Sequence, residues 1–352
     1  MDLVTVDIYE GSDMKRVGIV GCGGIARVHA WALQQMEDVH IVGFADIRRD
    51  RAEAFTLEYT DGKAGVYESL SDMLIGEKPD VVHICTPHYL HVPMAIETLK
   101  GGASFFSEKP PAISTEQFEM LEQAMNAAKG CNGRRLFGGF CFQNRYNATI
   151  RKTDEILQSG NLGEVRGVRA FVTWRRDEDY YATDWKGRLD TEGGGALINQ
   201  SIHTLDLMLR YLGSPTTVKA SIANHHLQDA IEVEDTVEAW MNFEGGKRAC
   251  FYASTAYATD APVILEIQCD TGSINIIDKT LTVRKSGEAP QFITVENDQG
   301  TACGVAKDYW GNSHLTCIRD FYEKMDSGER FQNDLEGVKN TMATMMKIYD
   351  YR

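Results

Sequence analysis

Positive charge is in short supply in this chain: 36 Lys and Arg stand against 51 Asp and Glu in 352 residues, a formal net charge of −15. That balance excludes a broad nucleic-acid surface and a general attraction to anionic membranes, because both need clustered cations. It does not exclude one local basic pocket for a small anion. Long apolar runs are missing too. None approaches the ~18 residues of a membrane span, and the N-terminus has no signal-peptide apolar core. The expectation is a cytoplasmic protein with no membrane and no nucleic-acid partner. The eight cysteines (Cys22, Cys85, Cys131, Cys141, Cys250, Cys269, Cys303 and Cys317) form no C-x-x-C pair. They read as reduced thiols, and no Cys/His spacing suits zinc, so no metal is expected. Met1 to Ser12 precede the first strand pattern without an evident role; they read as a short extension, with Met14 as an alternative start.

What is present begins at Val17-Gly18-Ile19-Val20, a run that ends in Gly21-Cys22-Gly23-Gly24. Ile25-Ala26-Arg27-Val28-His29-Ala30-Trp31-Ala32 continues at helical spacing, which predicts Ile25, Val28, Ala32 and Met36 on one face. Together they spell G-x-G-x-x-A, the dinucleotide fingerprint. Gly21 makes the tight turn, Gly23 admits a pyrophosphate, and Ala26 lets helix and strand pack closely. The free N–H groups around Gly23, Gly24 and Ile25 then face the phosphates. A second strand pattern, His40 to Ala45, ends in Asp46, placed to accept the ribose hydroxyls. A carboxylate there favours NAD over NADP. Arg48 and Arg49 are near enough to leave NADP possible.

Strand and helix patterns alternate up to Phe142, the signature of a doubly wound parallel sheet. Gly21, Asp46, Thr86 and Lys109 fall at the carboxyl ends of its strands, where such sheets bind ligands. From Asn147 the pattern changes. A strand is predicted over Val165–Thr173, and a long helix from Ala196 to Leu212. Strands then recur without helices between Thr217 and Val295, and two helices follow near His314–Ser327 and Leu335–Tyr349. The fold class is α/β, with a Rossmann domain over 14–145. An α+β domain with a large, mostly antiparallel open sheet covers 146–352, and its last helices are free to pack back on the first domain. A broad sheet face predicts a homo-oligomer.

Two groups carry chemistry. Lys109 follows a buried strand in Glu108-Lys109-Pro110 and would serve as acid or base on a hydroxyl once partly desolvated. On spacing alone a surface lysine before a proline turn is the more ordinary reading. Gly193-Gly194-Gly195 opens a helix on which Asn199, His203, Asp206 and Arg210 form a polar stripe. Asn199 and His203 are one turn apart and Asp206 is placed to orient the imidazole. The plain alternative is a solvated helix face. The glycines weigh against it, since they let a substrate approach the backbone. Trp174, Tyr180, Tyr181 and Trp185 offer faces for sugar stacking or for a subunit contact.

The ordered set resembles the glucose–fructose oxidoreductase / inositol 2-dehydrogenase / rhizopine-catabolism (Gfo/Idh/MocA) family. It comprises Gly21–Ala26, Cys85-Thr86-Pro87 with His91, Glu108-Lys109-Pro110, Gly193-Gly194-Gly195 with His203 and Asp206, and Gly311-Asn312-Ser313-His314. The resemblance covers nearly the whole chain after Met14. It implies hydride transfer between NAD(P) and a carbinol carbon of a sugar, cyclitol or sugar derivative. It also implies a dimer or tetramer formed through the second sheet. It assigns catalysis to Lys109 and His203 and cofactor contacts to Thr86, Pro87, His91, Glu108 and Lys109 besides the fingerprint. Arg145, Trp185, Tyr181 and His314 are expected at the substrate. The chain departs from many members in carrying Asn199 four residues before the histidine, where they have Asp. An amide cannot take a proton, so Asn199 is expected to position a hydroxyl. Two other functions fit the same residues: a family glycosidase or self-recycling oxidoreductase with tightly held NAD, and a non-catalytic dinucleotide sensor.

Overall fold

The computed structural model describes residues 14–128, 135–295 and 313–352. Met1 to Ser12, Cys131, Cys303, Gly311 and Asn312 lie outside them.

The first sheet holds β1 (Lys15–Val20), β2 (Val39–Ala45), β3 (Gly65–Tyr67), β4 (Val81–Ile84), β5 (Ser104–Ser107) and β6 (Gly138–Phe140). Their order is β3-β2-β1-β4-β5-β6, and every pairing is parallel. The chain winds one way from β1 through β2 and the other way from β4, which opens a crevice at the carboxyl ends of β1 and β4. Between the strands run α1 (Gly24–Gln34), α2 (Arg49–Thr60), α3 (Leu70–Glu77), α4 (His91–Lys100) and α5 (Thr115–Ala127). Local chemistry starts two of these helices: Ser69 Oγ accepts from Asp72 N at 3.1 Å, and Ser114 Oγ accepts from Gln117 N at 3.2 Å.

The second sheet holds β7 (Val165–Thr173), β8 (Thr217–Ala223), β9 (Thr236–Asn242), β10 (Arg248–Ser254), β11 (Ile264–Cys269), β12 (Gly272–Ile277), β13 (Thr280–Lys285) and β14 (Gln291–Ile293). The order is β14-β13-β12-β11-β7-β10-β9-β8, with β7 and β10 parallel and the other pairs antiparallel. One face is covered. On β9, Val237, Ala239 and Met241 are buried while Glu238, Trp240 and Asn242 are exposed. Helix α6 (Ala148–Gln158) leads into this sheet, and the short α7 (Glu178–Tyr181) lies in the loop after β7. Helix α8 (Ile202–Leu212) packs on β7, and α10 (Leu335–Tyr349) packs on α8.

Helix α9 (His314–Ser327) returns to the first sheet. Its Cys317, Ile318, Phe321, Tyr322 and Met325 share a core with Val17, Ile19, Phe44 and Phe106. This changes which face of α1 is covered. The buried residues there are Ala26, His29, Ala30, Ala32 and Leu33; of the face that spacing predicts, Ala32 and Met36 are buried, while Ile25 and Val28 are only half-buried. Because α1 has α9 as well as the sheet against it, His29 is turned inside.

Candidate active site

Gly21 sits at φ +86, and a Cβ there would lie 2.7 Å from the Cys85 carbonyl oxygen. Only glycine makes this turn without strain. At Gly23 and Gly24 a Cβ would meet no heavy atom within 4 Å, so the loop faces open space on the side where phosphate would approach. Ala26 is fully buried against the sheet. Asp46 is fixed by the same loop: Oδ2 accepts from Cys22 N and Oδ1 from Arg48 N, each at 2.8 Å. Each oxygen keeps a lone pair for a hydroxyl. The Arg48 side chain is exposed and paired to Asp50 at 2.8 Å. Thr86 Oγ1 is buried with no hydrogen-bond partner. These residues fit a dinucleotide: a donor-rich turn after β1, a fixed ribose acceptor after β2 and an orphaned hydroxyl after β4.

His91 stands differently from its expected cofactor contact. Its ring is buried, with Nδ1 2.9 Å from Pro110 O and Nε2 2.9 Å from Thr86 O. A neutral ring has one N–H, so it donates to one of these carbonyls and lies wedged between the two loops. Glu108 is also turned away from the crevice. Its Oε1 lies 3.0 Å from His29 Nε2, His29 Nδ1 lies 2.8 Å from His83 Nδ1, and His83 Nε2 lies 2.9 Å from Tyr322 OH. Burial pushes the Glu108 carboxyl up. The hydrogen bond from His29, with the Lys109 charge adding to it, outweighs that and holds it well below the usual carboxylate range. An ionised Glu108 only accepts, so His29 donates to it from Nε2, and with both rings neutral the other protons follow. Tyr322 donates to His83, His83 to His29, and His29 to Glu108. His29, Glu108 and Cys141 come within 4.8 Å of one another. Their polar atoms are used within the protein, Cys141 Sγ lying 3.8 Å from Gln143 Oε1.

Lys109 follows on the same turn, and its peptide bond to Pro110 is cis. Nζ donates to Asn199 O at 2.7 Å and to Asn199 Oδ1 at 3.1 Å. Burial lowers its pKa, against the pull of Glu108, Glu192 and Cys141. The helix expected from Ala196 begins instead as a wide π-turn over Ala196–Ser201, and the α-helix starts at Ile202. Ser201 Oγ reaches back to Ala196 O at 2.7 Å. The wide turn swings Asn199 toward Lys109, so its amide holds the lysine, and not the substrate hydroxyl it was expected to position. The three glycines have a structural cause. Gly193 has φ +84, a Cβ on Gly194 would lie 2.0 Å from Tyr349 Oη, and one on Gly195 would lie 2.1 Å from Glu234 O. They make room for protein, not for substrate.

His203 points toward the same end of the site. Burial, then the Lys109 charge, brings its pKa down to about 3, so it is neutral at pH 7. Its ring meets Phe142 edge-on at 5.6 Å, and Nδ1 is buried without a hydrogen-bond partner. The expected orienting partner is engaged elsewhere: Asp206 binds Arg145, through Nε at 2.7 Å and Nη2 at 2.6 Å, and Thr341 Oγ1 at 2.7 Å. Arg145 further donates to Gln332 O, Asn333 Oδ1 and Gly337 O at 2.7, 3.1 and 2.9 Å. All five of its N–H groups are used, which removes it from the expected substrate contacts.

In the aromatic loop, Tyr181 is buried in a small cluster with Ile231 and Val233 and so does not line the site as expected. Its neighbour Tyr180 does: its hydroxyl accepts from Gln200 Nε2 at 2.7 Å and from Asn199 Nδ2 at 3.4 Å. Trp185 is half-buried against His88, with ring centroids 4.9 Å apart. His314, half-buried at the start of α9, lies 6.5 Å from the His29 ring, and burial brings its pKa down to about 4. Sequence reasoning missed His29 and Glu192. The only signal for either was position, one inside the fingerprint helix and the other directly before three glycines.

Residues 15–133 match the family model "Oxidoreductase family, NAD-binding Rossmann fold" and residues 150–275 match "GFO/IDH/MocA C-terminal domain". D-glucoside 3-dehydrogenase of Escherichia coli is 31% identical over 217 residues, which are 60% of this chain and 58% of that protein. Myo-inositol 2-dehydrogenase of Thermotoga maritima is 25% identical over 202 residues, 56% of this chain and 54% of that protein. The chain thus matches a little over half the length of these relatives. Among solved structures, the WlbA dehydrogenase of Bordetella pertussis in complex with NADH and UDP-GlcNAcA superposes with a TM-score of 0.78 at 24% identity, covering 96% of both chains. Levoglucosan dehydrogenase in complex with NADH and levoglucosan gives 0.82 at 18% identity, again over 96% of both. At these identities the likeness is one of fold. Matched across both of its domains, the chain belongs to the Gfo/Idh/MocA oxidoreductases, with an NAD-binding Rossmann domain as its first part.

Proposed function

We propose that the chain is an NAD-dependent dehydrogenase acting on a carbinol carbon of a sugar, cyclitol or sugar derivative. One observation carries this reading. The Lys109 ammonium has three donors, two of them go to Asn199, and the third is left for an oxygen at the crevice edge. His203, neutral beside that charge, accepts the hydroxyl proton while Lys109 stabilises the oxygen as its charge develops. The nicotinamide supplies the hydride acceptor. Gly21 to Ala26, Thr86 and Asp46 would hold the cofactor, and a carboxylate at Asp46 repels a 2′-phosphate. The relatives named for D-glucoside and myo-inositol support the substrate class. The outer face of the eight-stranded sheet is the contact between copies. There Trp240 on β9 is 65% and Phe292 on β14 75% exposed, large apolar side chains that a second copy would cover.

Fluorescence titration with NADH and NADPH, followed by a screen of sugars and cyclitols for NADH production, tests this function. The expected result is tighter binding of NADH and turnover of at least one polyol. Lys109→Met then keeps cofactor affinity and loses ~100-fold or more in turnover. Near-normal turnover in that variant removes the lysine from the chemistry. Failure of both cofactors to bind removes the dehydrogenase.

A further inference from the structure

Glu192 is buried to 1% exposure directly before the three glycines. Its position is fixed from several sides. Its N–H donates to Arg188 O at 2.9 Å, its carbonyl lies 2.9 Å from His88 Nδ1, and Oε2 accepts from Gly187 N. Oε1 accepts from Asn199 Nδ2, while Asn199 Oδ1 accepts from Lys109 Nζ at 3.1 Å. The second hydrogen on Asn199 Nδ2 points to Tyr180 OH at 3.4 Å. The amide therefore bridges an ammonium that only donates and a carboxylate that accepts. Only one orientation of Asn199 satisfies both ends.

We propose that Glu192 is a positioning residue for Lys109, acting through the Asn199 amide, and that its ionised form is the one that holds the lysine in place. A protonated carboxyl would donate as well as accept. The amide would then be free to turn and present its NH2 to the ammonium, donor against donor, and Lys109 would lose an acceptor. Burial pushes the Glu192 carboxyl up to about 7, against the hydrogen bonds from Gly187 and Asn199 and the charge of Lys186. The switch therefore falls in the neutral range. The titratable and charged groups around it are Lys109, Lys186, Glu234, Tyr180, Tyr181 and His88. Of these, Glu234 pushes the carboxyl up further. Tyr180 and Tyr181 stay protonated, burial raising both, and His88 stays neutral, burial lowering it well below its usual value.

The test has two arms. The first needs no substrate. The full-length protein is acylated with acetic anhydride across pH 6 to 9, and the rate at Lys109 is read by peptide mass spectrometry. Glu192→Gln removes a nearby negative charge, so Lys109 is expected to react about threefold faster or more at pH 7. The double variant Glu192→Gln, Asn199→Asp places a carboxylate directly on the lysine and is expected to return the rate to that of the parent. An unchanged rate in Glu192→Gln overturns the proposal. Circular dichroism and thermal melting check folding, and should Glu192→Gln fail to fold, Asn199→Ala is expected to release Lys109 in the same direction. The second arm rests on the dehydrogenase function. With NAD⁺ and a sugar that is turned over, Glu192→Gln is expected to lower kcat about tenfold with KM nearly unchanged and to abolish the acid limb of the kcat–pH profile near 7. The double variant regains kcat. A retained acid limb, or a loss confined to thermal stability, also overturns the proposal. A parent enzyme that turns over no sugar defeats the dehydrogenase function alone, and the acylation arm still decides on Glu192.

Discussion

Arg145 illustrates how a residue's surroundings, more than its type, decide what it does. Five hydrogen bonds hold it to Asp206, Gln332, Asn333 and Gly337, and both members of its ion pair with Asp206 are buried. Removing one side of such a pair leaves the other charged and unpaired, at a cost of about 3–5 kcal/mol. Arg145→Met is expected to lower the melting temperature markedly, and below that temperature to leave KM for the sugar within about twofold, as suits a group with no spare donor. A large rise in KM without loss of stability would return Arg145 to the substrate. The sequence places Arg145 near the domain junction, but it does not show that residues 61 and about 190 positions away use up its donors. Gly21, Asp46 and Ala26 were legible because their roles follow from a local turn and a fixed spacing. His29 was not legible: its burial depends on α9, nearly three hundred residues further on.

At the scale of elements, alternation was the clearest signal. The strand predicted over Val165–Thr173 matches β7 residue for residue, and the strands expected between Thr217 and Val295 are β8 to β14. Side chains on a half-covered sheet repeat every second position. Less was legible where backbone geometry departs from a regular period. The π-turn over Ala196–Ser201 reads as ordinary helix, because one extra residue in a turn leaves no mark on composition. The cap of α10 shows the same limit. Asn333 and Glu336 have the spacing of a capping box, yet Asp334 accepts from Gly337 N at 2.7 Å, while Asn333 is buried and given to Arg145. The exposed sheet face carries its own prediction. Trp240 lies halfway along β9, opposite Cys250 and Lys219, one strand in from the edge of the sheet. Trp240→Glu is expected to shift the sedimentation coefficient from that of an oligomer to that of a single chain, with circular dichroism unchanged. A parent protein that already sediments as a single chain removes this face as the contact.

Across the whole molecule, the buried histidines set how stability responds to acid. Burial holds His83, His88, His91, His203 and His314 below the usual histidine range, with His203 at about 3 and His314 at about 4. In the unfolded chain each titrates near ~6.5. Below that pH the unfolded state binds protons that the folded state refuses, so unfolding takes up protons and stability falls as pH falls. Glu192 and Glu234 act in the opposite sense. Burial raises both, Glu192 to about 7, so each favours the folded state at low pH and loses that contribution as pH rises through its folded value. Five histidines outweigh two glutamates, and each unmatched proton is worth about 1.4 kcal/mol per pH unit. On the alkaline side, burial raises Cys22 to about 12 and Cys85 and Cys141 well above the usual thiol range. Unfolding there releases protons, and stability falls again above ~8.5. Calorimetry from pH 5 to 9.5 is expected to give the highest melting temperature between about 6.5 and 8.5. The decline should be steeper on the acid side. A melting temperature that rises on going from pH 6.5 to 5.5 would mean that these histidines are charged in the folded protein. His203 would then have no free site for a proton, and the role given to it in the dehydrogenase would fall with the stability prediction.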